Sequence, residues 1–200
     1  MNPLTSVRGA ITAGFVVAIL LTLLIAPTGF LELGLARWFH VLSGVMWIGL
    51  LWYFNVVQVP ALAVAATDKG GPGGAGISKY VAPRALLWFR WAAVATWLTG
   101  AWYLARDGNF VGAFTLGMAG DAFNAYQLII GIGAWLGTVM LFNVWVFIWP
   151  NQKKVLGLVP ASDEEKVQAR KVGLLASRTN FVLSIPMLLC MTSAMHGLPF

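Results

Sequence analysis

His40 and His196 are the only two imidazoles in a chain of 200 residues, and both stand in strongly apolar sequence. His40 lies in the run "RWFHVLSGVMWIG" (37–49), and His196 comes four residues before the final Phe200. A polar ring in such surroundings is costly unless it is hydrogen-bonded or holds something. Neutral imidazole carries a nitrogen lone pair and is the usual nitrogen ligand for metals, haem iron included. The single cysteine, Cys190, excludes an internal disulfide framework and a cysteine-built metal cluster. No C-x-x-C-H motif occurs, which excludes covalent c-type haem attachment in this sequence. A bis-histidine site for non-covalent haem b therefore has one possible composition, His40 with His196.

Such a pair matters only if the fold brings its members together. The chain is 59% hydrophobic and 10% charged, against about 45–50% and about 25% in soluble domains. These proportions predict an all-α, polytopic membrane bundle forming a single domain over 1–200. The ten tryptophans suit the aromatic belts at membrane–water interfaces. The net charge of +6 raises nucleic acid as a partner, but the basic residues cluster beside apolar spans, so the lipid bilayer is the expected partner and nucleic acid is not.

A spanning helix needs about 20 mostly apolar residues. Five segments qualify: roughly 10–26, 36–58, 86–105, 126–149 and 178–196. Arg8 before the first raises a signal peptide, but its exit "LLIAPTGF" lacks a clean A-x-A cleavage site, so a retained helix is expected. With the N-terminus cytoplasmic, Arg8, Lys69, Lys79, Arg84, Arg90, Lys153, Lys154, Lys166, Arg170, Lys171 and Arg178 fall on or near the inner side. Only Arg37 and Arg106 fall outside. That asymmetry predicts a multi-pass protein of the bacterial inner membrane with a periplasmic C-terminus. It also carries His40 and His196 to the same outer level, on the second and fifth spans.

Helical spacing refines the outer site. His40, Gly44, Trp47, Leu51 and Gln58 share one face. Gly44 leaves room for a porphyrin face, Trp47 can pack on its edge, and Arg37 is placed to pair with propionates. On the last span Leu189 and Thr192 share the face of His196, spacing turns the rival ligands Met191 and Met195 away, and Pro186 is expected to kink the helix. A second polar group collects at the inner side: Asn55, Gln58, Arg90, Asn143, Asn151, Gln152, Arg178 and Asn180. Its plainer explanation is anchoring by the cations and helix-to-helix bonding by the amides. Gly133 and Gly137 form a small-xxx-small packing pattern.

Between the spans, "TDKGGPGGAGIS" (67–78) reads as a flexible connector. Residues 151–173 read as a polar loop with a short helix capped by Ser162 and Glu165. "NFVGAFTLGMAG" (109–120) is apolar but glycine-broken, an interfacial or re-entrant piece rather than a sixth span. No internal repeat is evident.

"RWFHVLSGVMWIGLLWYFN", "LLWFRWAAVATWLTGAWYL", "FNVWVFIWPNQKKVLGLV" and "ASRTNFVLSIPMLLCMTSAMHGLP" together resemble the membrane domain of bacterial membrane-bound urate oxidases, in which a multi-span domain is fused to a C-terminal cytochrome c. The resemblance covers roughly 36–58 and 84–200. It carries over to His40, Asn143, Pro150, Asn151, Gln152, Asn180 and His196. The family domain is longer and richer in histidine, and its histidine–asparagine pair at the last span is here Arg178-Thr179-Asn180. The resemblance implies a redox setting with a cytochrome c, or a larger respiratory or photosynthetic complex, as partner. The resulting expectation is an electron-transfer protein holding haem b near its outer side, with urate oxidation itself left open. The rival expectations are a non-catalytic accessory or assembly subunit, and a small transporter for a purine-like anion using the inner polar group.

Overall fold

The computed structural model describes residues 2–25 and 31–198. The chain divides into two compact units, residues 1–32 and 33–200. In the first, the Asn2 side chain accepts a hydrogen bond from the Leu4 amide at 2.9 Å and caps a short turn, Pro3–Thr5. Helix α1 follows, Val7–Ile25, with no buried residue. Arg8, Thr12 and Thr22 aside, its residues are apolar or glycine.

The second unit holds α2 (Glu32–Thr67, of which Leu33 onward belongs here), α3 (Ala82–Arg106), the short α4 (Phe110–Phe114), α5 (Ala125–Val155) and α6 (Asp163–Ser193). Among the described residues, α1, α2, α5 and α6 are long and apolar enough to cross a membrane. Helix α3 covers the expected third span and has 25 residues, but it is not among these four. Arg84, Arg90 and four tryptophans (88, 91, 97 and 102) dilute its aliphatic content.

The helices are longer than sequence periodicity suggests. Helix α2 runs nine residues beyond Gln58, to Thr67, and α5 reaches Val155, which removes the first part of the expected 151–173 loop. The rest of that loop is also mostly helix. Ser162 and Glu165 do form a capping box, the Ser162 Oγ accepting from the Glu165 amide at 3.2 Å, but the helix they start is no separate cytoplasmic piece. It is the first turn of α6, continuous for 31 residues and through Pro186. Between 166 and 178 Gly173 is the one weak helix former, and it is buried against α5, where an added Cβ would make ordinary contact with Gln152 Nε2 at 3.4 Å.

Three π-helical turns interrupt the α geometry: Tyr53–Gln58 in α2, Ile77–Val81 leading into α3, and Asn143–Ile148 in α5. Each comes just before a proline, Pro60, Pro83 or Pro150. Proline lacks an N–H and crowds the carbonyl one turn back, and a widened turn relieves that conflict. Two of the three hold a buried asparagine followed by valine, Asn55-Val56 in α2 and Asn143-Val144 in α5.

The core draws on four helices. Trp47, Leu51 and Phe54 come from α2, Phe89 and Ala93 from α3, Met140 and Val144 from α5, and Met187 from α6. Phe54 and Phe89 meet edge-to-face with centroids 5.5 Å apart. The apolar 109–120 segment is no spanning helix, as expected. Helix α4 lies on α5 where a Cβ on Gly131 would come within 2.9 Å of the Ala113 carbonyl carbon. The Gln127 Nε2 donates to Asn109 Oδ1 at 2.9 Å and fastens the same junction. Gly133 fits the small-residue pattern, because a Cβ there would lie 3.2 Å from Cys190 Cβ on α6, whereas Gly137 faces open space.

Candidate functional site

Helices α2 and α3 run antiparallel in a register set by three contacts one turn apart. The Arg37 Nη2 donates to the Tyr103 hydroxyl at 2.8 Å, and its guanidinium carbon lies 5.2 Å from that ring's centre. His40 faces Gly100, where a Cβ would come within 2.8 Å of the imidazole Cε1. Gly44 faces Thr96, whose Cγ2 would lie 3.7 Å from an added Cβ.

A cavity of about 670 Å³ opens along this seam. Arg37, His40, Gly44 and Trp47 line it from α2, and Thr96, Gly100 and Tyr103 from α3. Tyr126 and Gly137 of α5 and Met187, Met191 and Thr192 of α6 complete the wall, with Met195 and His196 beyond the end of α6. The size falls within the range of small-molecule and cofactor sites, roughly 300–1,000 Å³. The walls are chiefly apolar, with Arg37, Tyr103 and Tyr126 among the few polar groups.

The state of His40 follows from its partner. Its Nδ1 lies 2.8 Å from the Thr96 carbonyl oxygen. A carbonyl only accepts, so Nδ1 carries the hydrogen and the neutral ring keeps its lone pair on Nε2. That is the arrangement by which metal-binding imidazoles are oriented, the second nitrogen donating to a backbone carbonyl. Trp47 is 2% exposed, and its Nε1–H is buried without a partner among the described residues.

His196 lies three residues past the end of α6, in a turn where its amide donates to the Ser193 carbonyl at 3.2 Å. The side chain is exposed at the edge of the cavity. The fold thus brings the two histidines, 156 positions apart, to one cavity. Met191 and Met195 do not turn away from it as expected; both line it. Met195 and His196 follow the end of the α-helix at Ser193, where a tighter turn rotates them away from the helical spacing; Met191 lies within α6 and borders the cavity from the helix itself.

The second polar group expected from the sequence does not form one site. Asn143 Nδ2 donates to Asn180 Oδ1 at 2.9 Å, and Asn180 Nδ2 donates to the Met140 carbonyl at 2.9 Å, a buried clasp between α5 and α6. Asn55 Nδ2 donates to the Leu51 carbonyl at 2.8 Å and to Ser177 Oγ at 2.9 Å. Gln58 is buried, and its Oε1 lacks a partner among the described residues. Arg90 stacks over Trp149 with its guanidinium carbon 3.7 Å from the ring centre. Asn151 bonds back to its own helix at Phe147, Gln152 packs against Gly173, and Arg178 is exposed.

Sequence reasoning missed Thr96, Gly100, Tyr103 and Tyr126. A signal was present: Thr96 and Gly100 are small residues one turn apart, and Gly100 stands three residues before Tyr103, on a helix crowded with bulky aromatics.

Comparison with known families then bears on the second half of the chain. Residues 108–200 are similar to the family described as urate oxidase N-terminal. The match supports the resemblance read from the sequence. The urate oxidase N-terminal match takes in α4, α5 and α6, with Asn143, Asn180 and His196, and leaves α2 and His40 outside it. No curated protein and no solved structure matches the chain.

Proposed function

We propose that this chain is a redox protein of the bacterial inner membrane that holds haem b in the α2–α3 cavity, between His40 and His196, and exchanges electrons with a cytochrome c or a larger membrane complex. The observation that carries this reading is the hydrogen bond of His40: Nδ1 lies 2.8 Å from the Thr96 carbonyl, which leaves Nε2 with a lone pair to offer a metal. The cavity suits the group in other respects. Apolar walls fit a porphyrin face, and Gly44 adds no side chain there. Arg37 spends one N–H on Tyr103 and keeps others for propionates. When bound, haem supplies a one-electron couple whose potential the axial ligands tune. The chain's own part is to fix the imidazole, shield the ring from water and neutralise its acidic edge.

Membrane placement rests on the exposed apolar surface. Val45, Val64, Trp88, Val182 and Ile185 are all more than half exposed, a pattern that lipid accommodates and water does not. At 1.5 Å per residue a 31-residue helix is roughly 46 Å long, so α5 and α6 would cross a hydrocarbon core of about 30 Å and project beyond it.

The spectrum of protein purified from its native host, or from cells supplied with haem, tests the proposal. A reduced-minus-oxidised difference typical of low-spin b-type haem is expected; a colourless preparation would overturn it. The accessory-subunit reading would then lead, favoured by the Asn143–Asn180 clasp, which binds helices and offers little to a ligand. The anion-transporter reading is weakened by the same clasp and by the exposed Arg178. Orientation is tested separately. Alkaline phosphatase fused after Phe200 is expected to be active, and fusions within 59–83 or 156–162 inactive; an inactive C-terminal fusion reverses the topology.

A further inference from the structure

We propose that Gly100, with the Thr96 carbonyl one turn before it, is a positioning cradle that fixes the ring plane and the tautomer of His40. The proposal rests on the haem reading for its purpose but not for its geometry.

Helix α3 brings its backbone close to the imidazole because position 100 has no side chain. An added Cβ would fall 2.8 Å from His40 Cε1 and 2.9 Å from Nδ1, inside the distance that real Cβ contacts show. The obstruction is not the far end of a flexible chain that could swing aside. It is the ring itself, whose Nδ1 is already tied to the Thr96 carbonyl of the same helix at 2.8 Å. Any side chain at 100 must therefore push the ring, and the first interaction to stretch is the 2.8 Å bond from Nδ1 to Thr96.

That bond sets the ring's chemistry. While it holds, the proton stays on Nδ1, and Nε2 presents an electron pair toward an electron-poor partner such as a metal ion. When it breaks, either nitrogen can carry the proton, and the ring loses its commitment to act as a ligand. Donation to a backbone carbonyl also raises the basicity of the ligating nitrogen, so the cradle would bear on the potential of the bound iron as well as on its capture. The Thr96 hydroxyl takes no part; it donates to the Ala92 carbonyl at 2.7 Å and leaves the Thr96 carbonyl to the imidazole and to its own helix.

Having only two histidines makes this directly measurable. In protein labelled with nitrogen-15 at histidine and purified without haem, His40→Gln assigns the signals of each ring. His40 is expected to show one protonated and one lone-pair nitrogen, with the proton on Nδ1. His196, exposed, is expected to show the averaged signals of a ring exchanging tautomers. In Gly100→Ala, His40 should become averaged as well. Wild-type His40 with its proton on Nε2, or already averaged, overturns the cradle without any variant, so a Gly100→Ala chain that fails to fold does not protect the idea. Unchanged His40 signals in a folded Gly100→Ala also overturn it. In haem-loaded protein Gly100→Ala should lower haem retention about tenfold or more, the usual effect of losing such a partner. If wild type binds no haem but shows the fixed tautomer, the haem reading fails and the cradle stands.

Discussion

Replacing His40 by alanine is expected to remove the low-spin haem spectrum altogether, and replacing His196 by alanine to remove its bis-histidine signature while some haem stays bound. The asymmetry follows from how the two rings are held. His40 sits on a continuous helix, half-buried, with one nitrogen committed at 2.8 Å and a glycine cut to its ring. Its loss removes the only ligand whose direction the fold fixes in advance. Changing a residue that merely supports a ligand typically weakens metal binding about 10–100-fold, so loss of the ligand itself should exceed that. His196 lies in a turn past Ser193 and is exposed. Its ordering on binding costs conformational entropy, and Met191 and Met195 border the same cavity as substitutes. Histidine–methionine ligation raises the iron's potential relative to bis-histidine, so His196→Ala protein that retains low-spin haem should show a higher midpoint. Electron paramagnetic resonance and a redox titration read both outcomes. If both variants keep the wild-type spectrum and midpoint, neither histidine holds the iron.

Much of this arrangement was open to inspection before any coordinates. The helices were legible because apolar stretches of about 20 residues have few other solutions. The meeting of His40 and His196 was legible too, since the distribution of lysine and arginine alone puts them at one level. Helix ends were harder. A capping box marks where a helix begins but not how far it runs, so Ser162 and Glu165 announced α6 correctly while the join to the last span stayed hidden. The pitch changes at Asn55 and Asn143 left no periodic trace, because a π turn adds one residue and shifts every face beyond it. The half of the site contributed by α3 was hidden for another reason: Thr96 enters it through a backbone carbonyl and Gly100 through the absence of a side chain. Neither contribution has a residue type that announces chemistry.

The amides of Asn143 and Asn180 illustrate the converse, polar residues that look functional and are tied to one another. Replacing Asn180 by alanine should destabilise the protein by about 1–3 kcal/mol, the penalty for leaving a buried polar group unpaired, with helix-to-helix bonds in membranes at the lower end of such values. Asn180 is 0% exposed and makes both links of the clasp, accepting from Asn143 at 2.9 Å and donating to the Met140 carbonyl at 2.9 Å. The Met140 carbonyl keeps a donor when Asn180 is gone, because the Asn143 backbone amide also points to it. The stranded group is therefore the Asn143 side-chain amide. Removing that as well, in Asn143→Ala with Asn180→Ala, takes away the unpaired donor. The double variant should be less destabilised than the sum of the two single ones, by about 0.5–2 kcal/mol of coupling. Unfolding of the four proteins in mixed detergent micelles measures the cycle. Strictly additive losses would mean the two side chains do not act as a pair. The haem spectrum is the second readout: it should survive each variant that folds, since neither asparagine lines the cavity that holds His40. A folded Asn180→Ala that lost the spectrum would instead show that the clasp sets the position of α6, and with it His196, closely enough for ligation to depend on it.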